Sequence, residues 1–372
     1  MKKKIVIIED ELILQELHKH YVTNMGHEVL ACFETGKDAI AFFEENHADL
    51  ILMDIRLEGD LDGIETAGKI SELRSIPLVY VSANTDDSTY NRALSTNMSG
   101  YLSKPLSANE LEEIIENITS LTESILYAQR IQKQLFAKEE ELVKFFKQII
   151  YINRPRDIVT GDFCFIGGKN LNKEIIIGVG DCTGHGVPGA LLSIVCYNLL
   201  KNITLETNNL ALILDEFYFR LKLLLMPISS DIVLNDSMDM IIFKLKKWKT
   251  EIEIYGNKRE FIYYNSKNQE HINIRVRINE LGALEESSVK IKFSKDDIFY
   301  FYSDGITDQF GGDFDKKLTR KRLISFLESD KLNTNMSLKQ MRLNIFLRKW
   351  QGKTNQTDDM IFFAIQPSLY CN

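Results

Sequence analysis

The sequence predicts two domains of different fold class joined by a long helix. The first is an α/β domain with a doubly wound, five-stranded parallel sheet, and the second is an α+β domain with two sheets packed as a sandwich. A chain of 372 residues suits two domains better than one. Its first third alternates short apolar runs with helical segments. After Pro155 the apolar runs follow one another with turns between them, interrupted by two long helical regions.

The composition is that of a folded globular protein and excludes several classes. Hydrophobic residues make up 44% of the chain and charged residues 26%. No apolar run reaches the roughly 18 residues needed to span a bilayer. The formal net charge of -8 and the lack of a basic helix–turn–helix segment argue against a nucleic-acid partner. The five cysteines are scattered and include no CxxC pair, which indicates free thiols in a reducing cytoplasm. We therefore expect a cytoplasmic protein that binds neither nucleic acid nor membrane.

In the first third, polar side chains stand at the ends of the predicted strands KKIVIIED, DLILMD, IPLVYVSA and GYLSKP. The carboxyl ends of parallel strands meet at one edge of a sheet, so we expect these side chains to converge: Glu9, Asp10, Asp54, Ser82 and Lys104. Each acid alone is more simply read as a solvated strand end. Three neighbouring carboxylates, however, repel one another unless a cation shares them, and oxygen ligands suit Mg²⁺. Asp54 can then act as a nucleophile toward a phosphoryl group.

On these residues, the segment from residue 3 to about 120 resembles the receiver domain of two-component response regulators, which has a flavodoxin-like fold. The resemblance implies that Asp54 is the phospho-acceptor and that a sensor histidine kinase or another phosphodonor is a partner. It also implies a switch formed by Ser82, Tyr101 and Lys104, in which Tyr101 moves inward. The Lys104–Pro105 bond is a candidate cis peptide.

The receiver resemblance also implies a magnesium site. Its ligands would be the carboxylates of Glu9, Asp10 and Asp54 and the backbone carbonyl of Arg56. We assign residues 1–120 to this domain.

A helical connector is predicted over residues 121–150. From about residue 111 to 150 the chain has no proline or glycine, and apolar residues recur at heptad spacing. The heptad positions are Leu121, Ala128, Leu135, Leu142 and Ile149, with Ile118, Ile125 and Phe146 in the alternate seam, and Gln132 and Glu139 interrupting it. This pattern predicts a parallel coiled coil and a homodimer, in which two packings of similar energy pass on the state of the first domain. The alternative is a pair of helices that pack on their own domains.

In the last two thirds, acids stand next to glycines at strand ends. They are Asp162, Asp181, Asp304, Asp358 and Asp359. Each such pair alone is a turn signal. Together they predict a binuclear site for hard cations, because glycine lets an ion approach the backbone. Two cations about 3.5–4 Å apart can bridge a water, lower its pKa and direct it at a phosphate ester.

Residues from about 145 to 367 resemble the SpoIIE-like branch of the metal-dependent (PPM-type) serine/threonine phosphatases. The resemblance rests on RDIVTGDF, GDCTGHGVPGALLS, DSMDM, YSDGITDQFGG and QTDDM, in that order. We assign residues 151–372 to this domain. The resemblance implies two Mn²⁺ or Mg²⁺ ions and a water nucleophile activated by them.

By the same resemblance, Asp162 and the backbone carbonyl of Cys182 hold the first metal, and Asp181 bridges both. Asp304 and Asp358 hold the second metal. Asp359 is a substitute for Asp358 or its neighbour in the site, and the sequence does not separate the two. Asp239 in DSMDM is expected to support the sheet or the site and not to be a metal ligand.

Several residue types near these acids look reactive without a clear role. A water nucleophile leaves no task for the thiol of Cys182, and His185 is expected to position its loop by hydrogen bonding. The segment YGNKREFIYY departs from the small-residue turn of close relatives. No arginine is assigned to clamp the phosphate, and Arg156 is the nearest candidate by position.

The combined prediction is a response regulator whose output is a phosphatase for phosphoserine or phosphothreonine, controlled by phosphorylation of Asp54. The resemblance implies a substrate of the STAS type, an anti-sigma-factor antagonist in a partner-switching pathway. The alternative is a catalytically silent phosphatase-like domain that binds a partner under the control of phosphorylation.

Overall fold

The computed structural model describes residues 2–74, 76–83, 86–96, 98–146, 148–226, 237–257, 259–276, 289–330, 335–352 and 354–368. The chain divides into two compact units, Met1–Ser124 and Ile125–Asn372. Four cysteines are free thiols, as predicted, and Cys371 lies outside the described residues.

The first unit contains a five-stranded parallel sheet with the strand order β2-β1-β3-β4-β5. Its elements are β1 (Lys4–Ile8), α1 (Leu12–Asn24), β2 (Glu28–Phe33), α2 (Gly36–Glu45), β3 (Leu50–Asp54), α3 (Gly63–Leu73), β4 (Leu78–Ser82), α4 (Asp87–Leu94), β5 (Gly100–Ser103) and the start of α5 (Ala108–Leu135).

Helices cover both faces of this sheet. Val6 and Ile8 pack in one core with residues of α2 and α3, whereas Ile5 and Ile7 pack in a second core with residues of α1 and α5. Alternate residues of a strand point to opposite faces, which is why one apolar run feeds two cores. The predicted doubly wound α/β fold is confirmed.

The connector differs from the continuous helix predicted over residues 121–150. Helix α5 ends at Leu135, a second helix, α6, covers Glu139–Phe146, and strand β6 covers Ile149–Arg154. Leu142 is fully buried in a core of the second unit, and Ile149 pairs with Ile365. Heptad spacing cannot distinguish a helix that binds another helix from one that packs on its own domain, so the prediction extended too far. A coiled coil over the remaining part of α5, where Leu121 is 62% exposed, stays a prediction.

The second unit contains two antiparallel five-stranded sheets, with the orders β13-β10-β9-β8-β7 and β12-β11-β14-β17-β6. After β6 its elements are β7 (Asp162–Gly167), β8 (Glu174–Cys182), α7 (Gly186–Glu206), α8 (Leu210–Leu225), β9 (Met238–Lys246), β10 (Glu251–Gly256), β11 (Glu260–Asn265), β12 (Glu270–Arg275), β13 (Val289–Lys292), β14 (Ile298–Tyr302), α9 (Asp304–Asp308), β15 (Phe310–Gly311), β16 (Lys316–Lys317), α10 (Thr319–Ser329), α11 (Met336–Gln351) and β17 (Met360–Ile365).

The two sheets pack face to face and helices cover their outer faces. Aromatic rings from both sheets meet between them: Phe243 of β9 stacks on Phe301 of β14 with ring centroids 4.6 Å apart. Residues of α7 and α8 cover the first sheet, and residues of α10 and α11 cover the second. The predicted two-sheet sandwich flanked by helices is confirmed. Within the described part of the chain, no helix combines the length and apolar character needed to cross a membrane.

Side-chain caps begin several of these helices. The Asp62 carboxylate accepts a hydrogen bond from the Glu65 N–H at 2.8 Å, and the Glu65 carboxylate accepts one from the Asp62 N–H at 3.1 Å, which starts α3. The side chains of Asn209 and Asn335 likewise accept hydrogen bonds from backbone N–H groups in the first turns of α8 and α11. These caps satisfy N–H groups that a helix leaves without intrahelical acceptors.

Candidate functional site

The carboxyl edge of the first sheet gathers three acids and a lysine. Glu9 and Asp10 follow β1, Asp54 ends β3 and Lys104 follows β5. One carboxylate oxygen of each acid lies within 4.8 Å of the other two. Among the described residues, no other group of three His, Cys, Asp or Glu side chains is so close together. The donors are oxygens alone, which fits Mg²⁺.

Burial and the lysine set the charge of this edge. Lys104 Nζ lies 2.8 Å from Glu9 Oε1 and 2.6 Å from Asp54 Oδ2. Burial raises the pKa of Glu9 to about 7, although its hydrogen bond with Lys104 acts to lower it. The pKa of Lys104 is raised despite its burial, because both carboxylates accept hydrogen bonds from it. The Arg56 N–H donates to Asp54 Oδ1 at 3.1 Å.

Two polar residues of α1 that sequence reasoning missed lie behind Glu9. Gln15 Nε2 donates to the Glu9 carbonyl at 3.1 Å, and His18 Nδ1 lies 3.8 Å from Glu9 Oε2. Burial lowers the pKa of His18 to about 4, so its imidazole is neutral at pH 7. Patterns of apolar residues give no signal for polar side chains buried on a helix, which is why neither was found.

Two of the predicted switch residues, Ser82 and Tyr101, lie on the neighbouring strands β4 and β5. Ser82 ends β4 and is fully buried. Tyr101 of β5 is half-buried, with its ring centroid 5.4 Å from that of Tyr90 on α4. The Lys104–Pro105 peptide bond is cis, as predicted.

In the second unit, three acids form a row across neighbouring strands. Asp162 of β7 pairs with Asp181 of β8, which pairs in turn with Asp239 of β9. Asp162 is 1% exposed, and its Oδ2 is buried without a hydrogen-bond partner among the described residues. A buried carboxylate oxygen without a partner is costly unless a cation or a donor meets it. Asp162 therefore fits the role of a metal ligand.

The structure gives different surroundings to the two acids of QTDDM, which the sequence did not separate. Asp359 is 3% exposed and accepts backbone N–H hydrogen bonds from Arg156 and Gly161, each at 2.7 Å. Its oxygens therefore tie two loops together. Asp358 is less buried, and Asp304 at the start of α9 is about half exposed. These contacts favour Asp358 over Asp359 as a ligand.

An arginine that sequence reasoning missed lies among these acids. The Arg259 side chain is 12% exposed and forms an ion pair with Asp181 through Nη2. Its Nη1 lies 3.3 Å from Asp304 Oδ2, and its Nε lies 3.7 Å from Asp239 Oδ2. Arg156, the candidate taken from position, is exposed and donates from Nη1 to a backbone carbonyl instead.

The acids carry strongly perturbed pKa values. Burial raises the pKa of Asp162 well above its ordinary value, and the charge of Asp181 raises it further. Burial raises the pKa of Asp181 to about 7, with Arg259 acting to lower it and Asp304 to raise it. The pKa of Arg259 is raised by Asp181 and Asp304, although its own burial acts to lower it. Burial and the charges of neighbouring acids both disfavour the ionised carboxylates, which is the common cause of the raised pKa values of Asp162 and Asp181.

The GDCTGHG loop turns by means of its glycines. Gly184 and Gly186 have φ of +85° and +67°, a region that glycine adopts without strain. His185 Nδ1 lies 3.4 Å from Asp157 Oδ2 in the loop before β7, and its role in positioning the GDCTGHG loop stays a prediction. Cys182 is 3% exposed in the core between α7 and its sheet, and burial raises the pKa of its thiol.

Gln132, read from the sequence as a flaw in a heptad, is instead a buried contact at the end of α5. Its Oε1 accepts from the Thr160 N–H at 3.1 Å, and its Nε2 donates to the Thr160 carbonyl at 2.6 Å. Its Nε2 also lies 3.0 Å from Ser193 Oγ on α7. The Thr160 hydroxyl in turn accepts from the Asp162 N–H at 2.9 Å. One side chain thus connects α5, the loop that presents Asp162, and α7.

Two family models match the chain. The model of the response regulator receiver domain matches residues 5–116. The model described as Stage II sporulation protein E (SpoIIE) matches residues 172–368, which is more than half of the chain.

Curated relatives match the first unit. The chain is 36% identical over 103 residues to protein-glutamate methylesterase/protein-glutamine glutaminase 2 of Paramagnetospirillum magneticum, a match that spans 27% of this chain and 29% of the relative. It is 31% identical over 120 residues to the polar-differentiation response regulator DivK of Brucella ovis, which spans 32% of this chain and 96% of that protein. The chain thus covers less than a third of the length of the first of these relatives.

A solved structure matches the second unit in fold. The SiaA-PP2C domain of Pseudomonas aeruginosa superposes with a TM-score of 0.57 at 22% identity, covering 67% of this chain and 97% of that domain. Together with the matched models and the acidic edges of both units, these similarities identify the chain as a member of the SpoIIE family of PPM-type phosphatases that carries a response regulator receiver domain at its amino-terminal side.

Proposed function

We propose that this chain is a response regulator whose output is a metal-dependent phosphatase for phosphoserine or phosphothreonine in a partner protein. The main support is Asp162, which lies on the strand paired with that of Asp181 and has a buried carboxylate oxygen without a hydrogen-bond partner in the part of the chain that the structure describes. A site that places acids at strand ends in this way is suited to hold divalent cations.

In this proposal, Asp162 and the Cys182 carbonyl would hold one Mn²⁺ or Mg²⁺ ion, Asp304 and Asp358 would hold another, and Asp181 would serve both. Such ions supply an activated water and offset the charge of the phosphate ester. Asp359 supports the site by binding the backbone N–H groups of the loop before β7.

In the receiver, Asp54 accepts the phosphoryl group from a sensor kinase or a small phosphodonor. Glu9, Asp10 and Asp54 would hold Mg²⁺ together with the Arg56 carbonyl. Lys104, which donates a hydrogen bond to Asp54, would contact one phosphoryl oxygen, and Ser82 would contact another.

Gln132 supports a route for this control. It lies on the same helix, α5, whose earlier residues belong to the first unit, and it holds Thr160 two positions before Asp162. A shift of this helix would therefore move the backbone that presents a metal ligand. The substrate follows from the family resemblance and is a STAS-type anti-sigma-factor antagonist.

A catalytically silent, partner-binding module is the second candidate. The observation that favours it is the position of Arg259, because a guanidinium bound to Asp181 and Asp304 can take the place of a metal ion.

The two candidates differ in hydrolysis. With Mn²⁺ we expect the full chain to hydrolyse a phenyl phosphate ester, and Asp181→Asn to reduce the rate at least about 100-fold. Mutation of residues that only hydrogen-bond to metal ligands already reduces metal affinity or activity by about 10–100-fold. Asp215→Asn, at an exposed acid of α8, is the matched control and should leave the rate unchanged. Absence of hydrolysis with every metal and phosphoprotein tried would support the silent module.

Control by the receiver is tested with the same assay. We expect a phosphodonor to change the rate of the wild-type chain, and Asp54→Asn to keep the basal rate and lose this change. If Asp54→Asn responds to the phosphodonor as the wild type does, control through Asp54 is wrong.

A further inference from the structure

Arg259 reaches the acids of the second unit from the connection between β10 and β11. It contacts Asp181, Asp239 and Asp304, and its side chain is 12% exposed. Under the proposed function, Asp304 would be a ligand of the second metal ion and Asp181 would contact both ions. The guanidinium therefore binds the same carboxylates that the ion needs.

We propose that Arg259 is a built-in cation that competes with the divalent ion for Asp181 and Asp304, and so sets the metal affinity of this site. This inference rests on the proposed function, because it takes these acids as metal ligands. It concerns a residue of this chain that falls in YGNKREF, where β10 connects to β11.

The chemistry of the guanidinium favours competition. Arginine keeps its charge at any physiological pH, and Arg259 donates a hydrogen bond to Asp181 while its Nη1 forms an ion pair with Asp304. A divalent ion can reach Asp181 and Asp304 at bonding distance only when these contacts break. Hydrogen bonds between charged groups in a poorly hydrated site are among the stronger ones.

The competition falls on one side of the site. Asp162 Oδ2 has no hydrogen-bond partner among the described residues, and the ion pairs of Arg259 are with Asp181, Asp239 and Asp304. The first ion would keep Asp162, a ligand outside these ion pairs, whereas the second would have to displace Arg259 from both Asp181 and Asp304. We therefore expect one tight and one weak class of Mn²⁺ in this unit.

The test measures Mn²⁺ binding to the full chain. The electron paramagnetic resonance signal of free Mn²⁺ and calorimetry both monitor this binding. In Arg259→Gln we expect the weak sites to bind Mn²⁺ roughly tenfold tighter or more. The reason is that Mn²⁺ no longer has to displace a hydrogen bond between charged groups. Arg259→Lys keeps the charge without the fork and should tighten binding less. Arg275→Gln is the matched control, because Arg275 is an exposed arginine of β12.

The receiver binds metal in every variant, so only the difference between variants is assigned to the second unit. That difference should vanish when Asp181→Asn is added. Thermal melting verifies that each variant is folded, and Arg259→Lys provides the result if Arg259→Gln does not fold. Unchanged or weaker Mn²⁺ binding in the folded Arg259 variants would overturn the inference while the metal site stands. If Asp181→Asn removes no bound Mn²⁺ from either the wild type or Arg259→Gln, the metal site itself is refuted and the inference with it.

Discussion

Replacement of Gln132 by leucine tests whether one buried amide holds the loop that presents Asp162. The substitution keeps most of the side-chain volume and removes the hydrogen bonds to both backbone groups of Thr160 and to Ser193. The Thr160 carbonyl keeps the Ser193 hydroxyl as a donor at 3.1 Å. The buried Thr160 N–H loses its acceptor, and an unsatisfied group of this kind costs about 1–3 kcal/mol. Adding the hydrogen bonds lost, we expect the free energy of unfolding to fall by about 2–3 kcal/mol.

Urea unfolding followed by tryptophan fluorescence measures this loss. Both tryptophans of the chain, Trp248 and Trp350, lie in the second unit, so the signal reports on that unit. Gln129→Leu is the control, because Gln129 lies one turn earlier on α5 and bonds to the Ile158 carbonyl from a partly exposed position. Its loss should cost under about 1 kcal/mol. A Gln132→Leu protein within about 0.5 kcal/mol of the control would refute the reasoning, since surface changes commonly fall in that range.

Two further predictions concern a buried acid and a close backbone contact. Burial acts to raise the pKa of Asp297, but hydrogen bonds from Ser266 and Tyr263 hold that pKa below its ordinary value of 3.8. The stabilisation from Asp297 is therefore fully present above about pH 4 and is lost as pH falls through the folded-state pKa. The difference in unfolding free energy between wild type and Asp297→Asn should shrink below pH 4, and a constant difference down to pH 3 would contradict this. In Gly305→Ala the added Cβ would lie 1.9 Å from the Asp359 carbonyl oxygen, so the backbone must shift. We expect a loss of about 1–3 kcal/mol by the same fluorescence assay, and unchanged stability would show that the two loops are not in close contact.

Much of the fold was predictable because its signals are local. Alternation of apolar strands and helices identified the first sheet, and acids at strand ends identified both candidate sites. The connector was the main error. Leu142 and Ile149 follow heptad spacing, yet they belong to the core and to a strand of the second unit. Their spacing indicates that they are buried but does not identify the part of the protein against which they pack.

Periodicity and neighbours along the chain were enough to predict the two fold classes and the acids at their strand ends. Three-dimensional packing, by contrast, brings side chains that are distant in sequence to the candidate sites. Arg259 and Gln132 contact acids and loops far from them in sequence, and strand pairing and helix packing bring them there. The choice between Asp358 and Asp359 likewise depends on backbone N–H groups of another loop, which bind Asp359. Contacts of this kind are set by packing in three dimensions, for which a single sequence contains no local pattern.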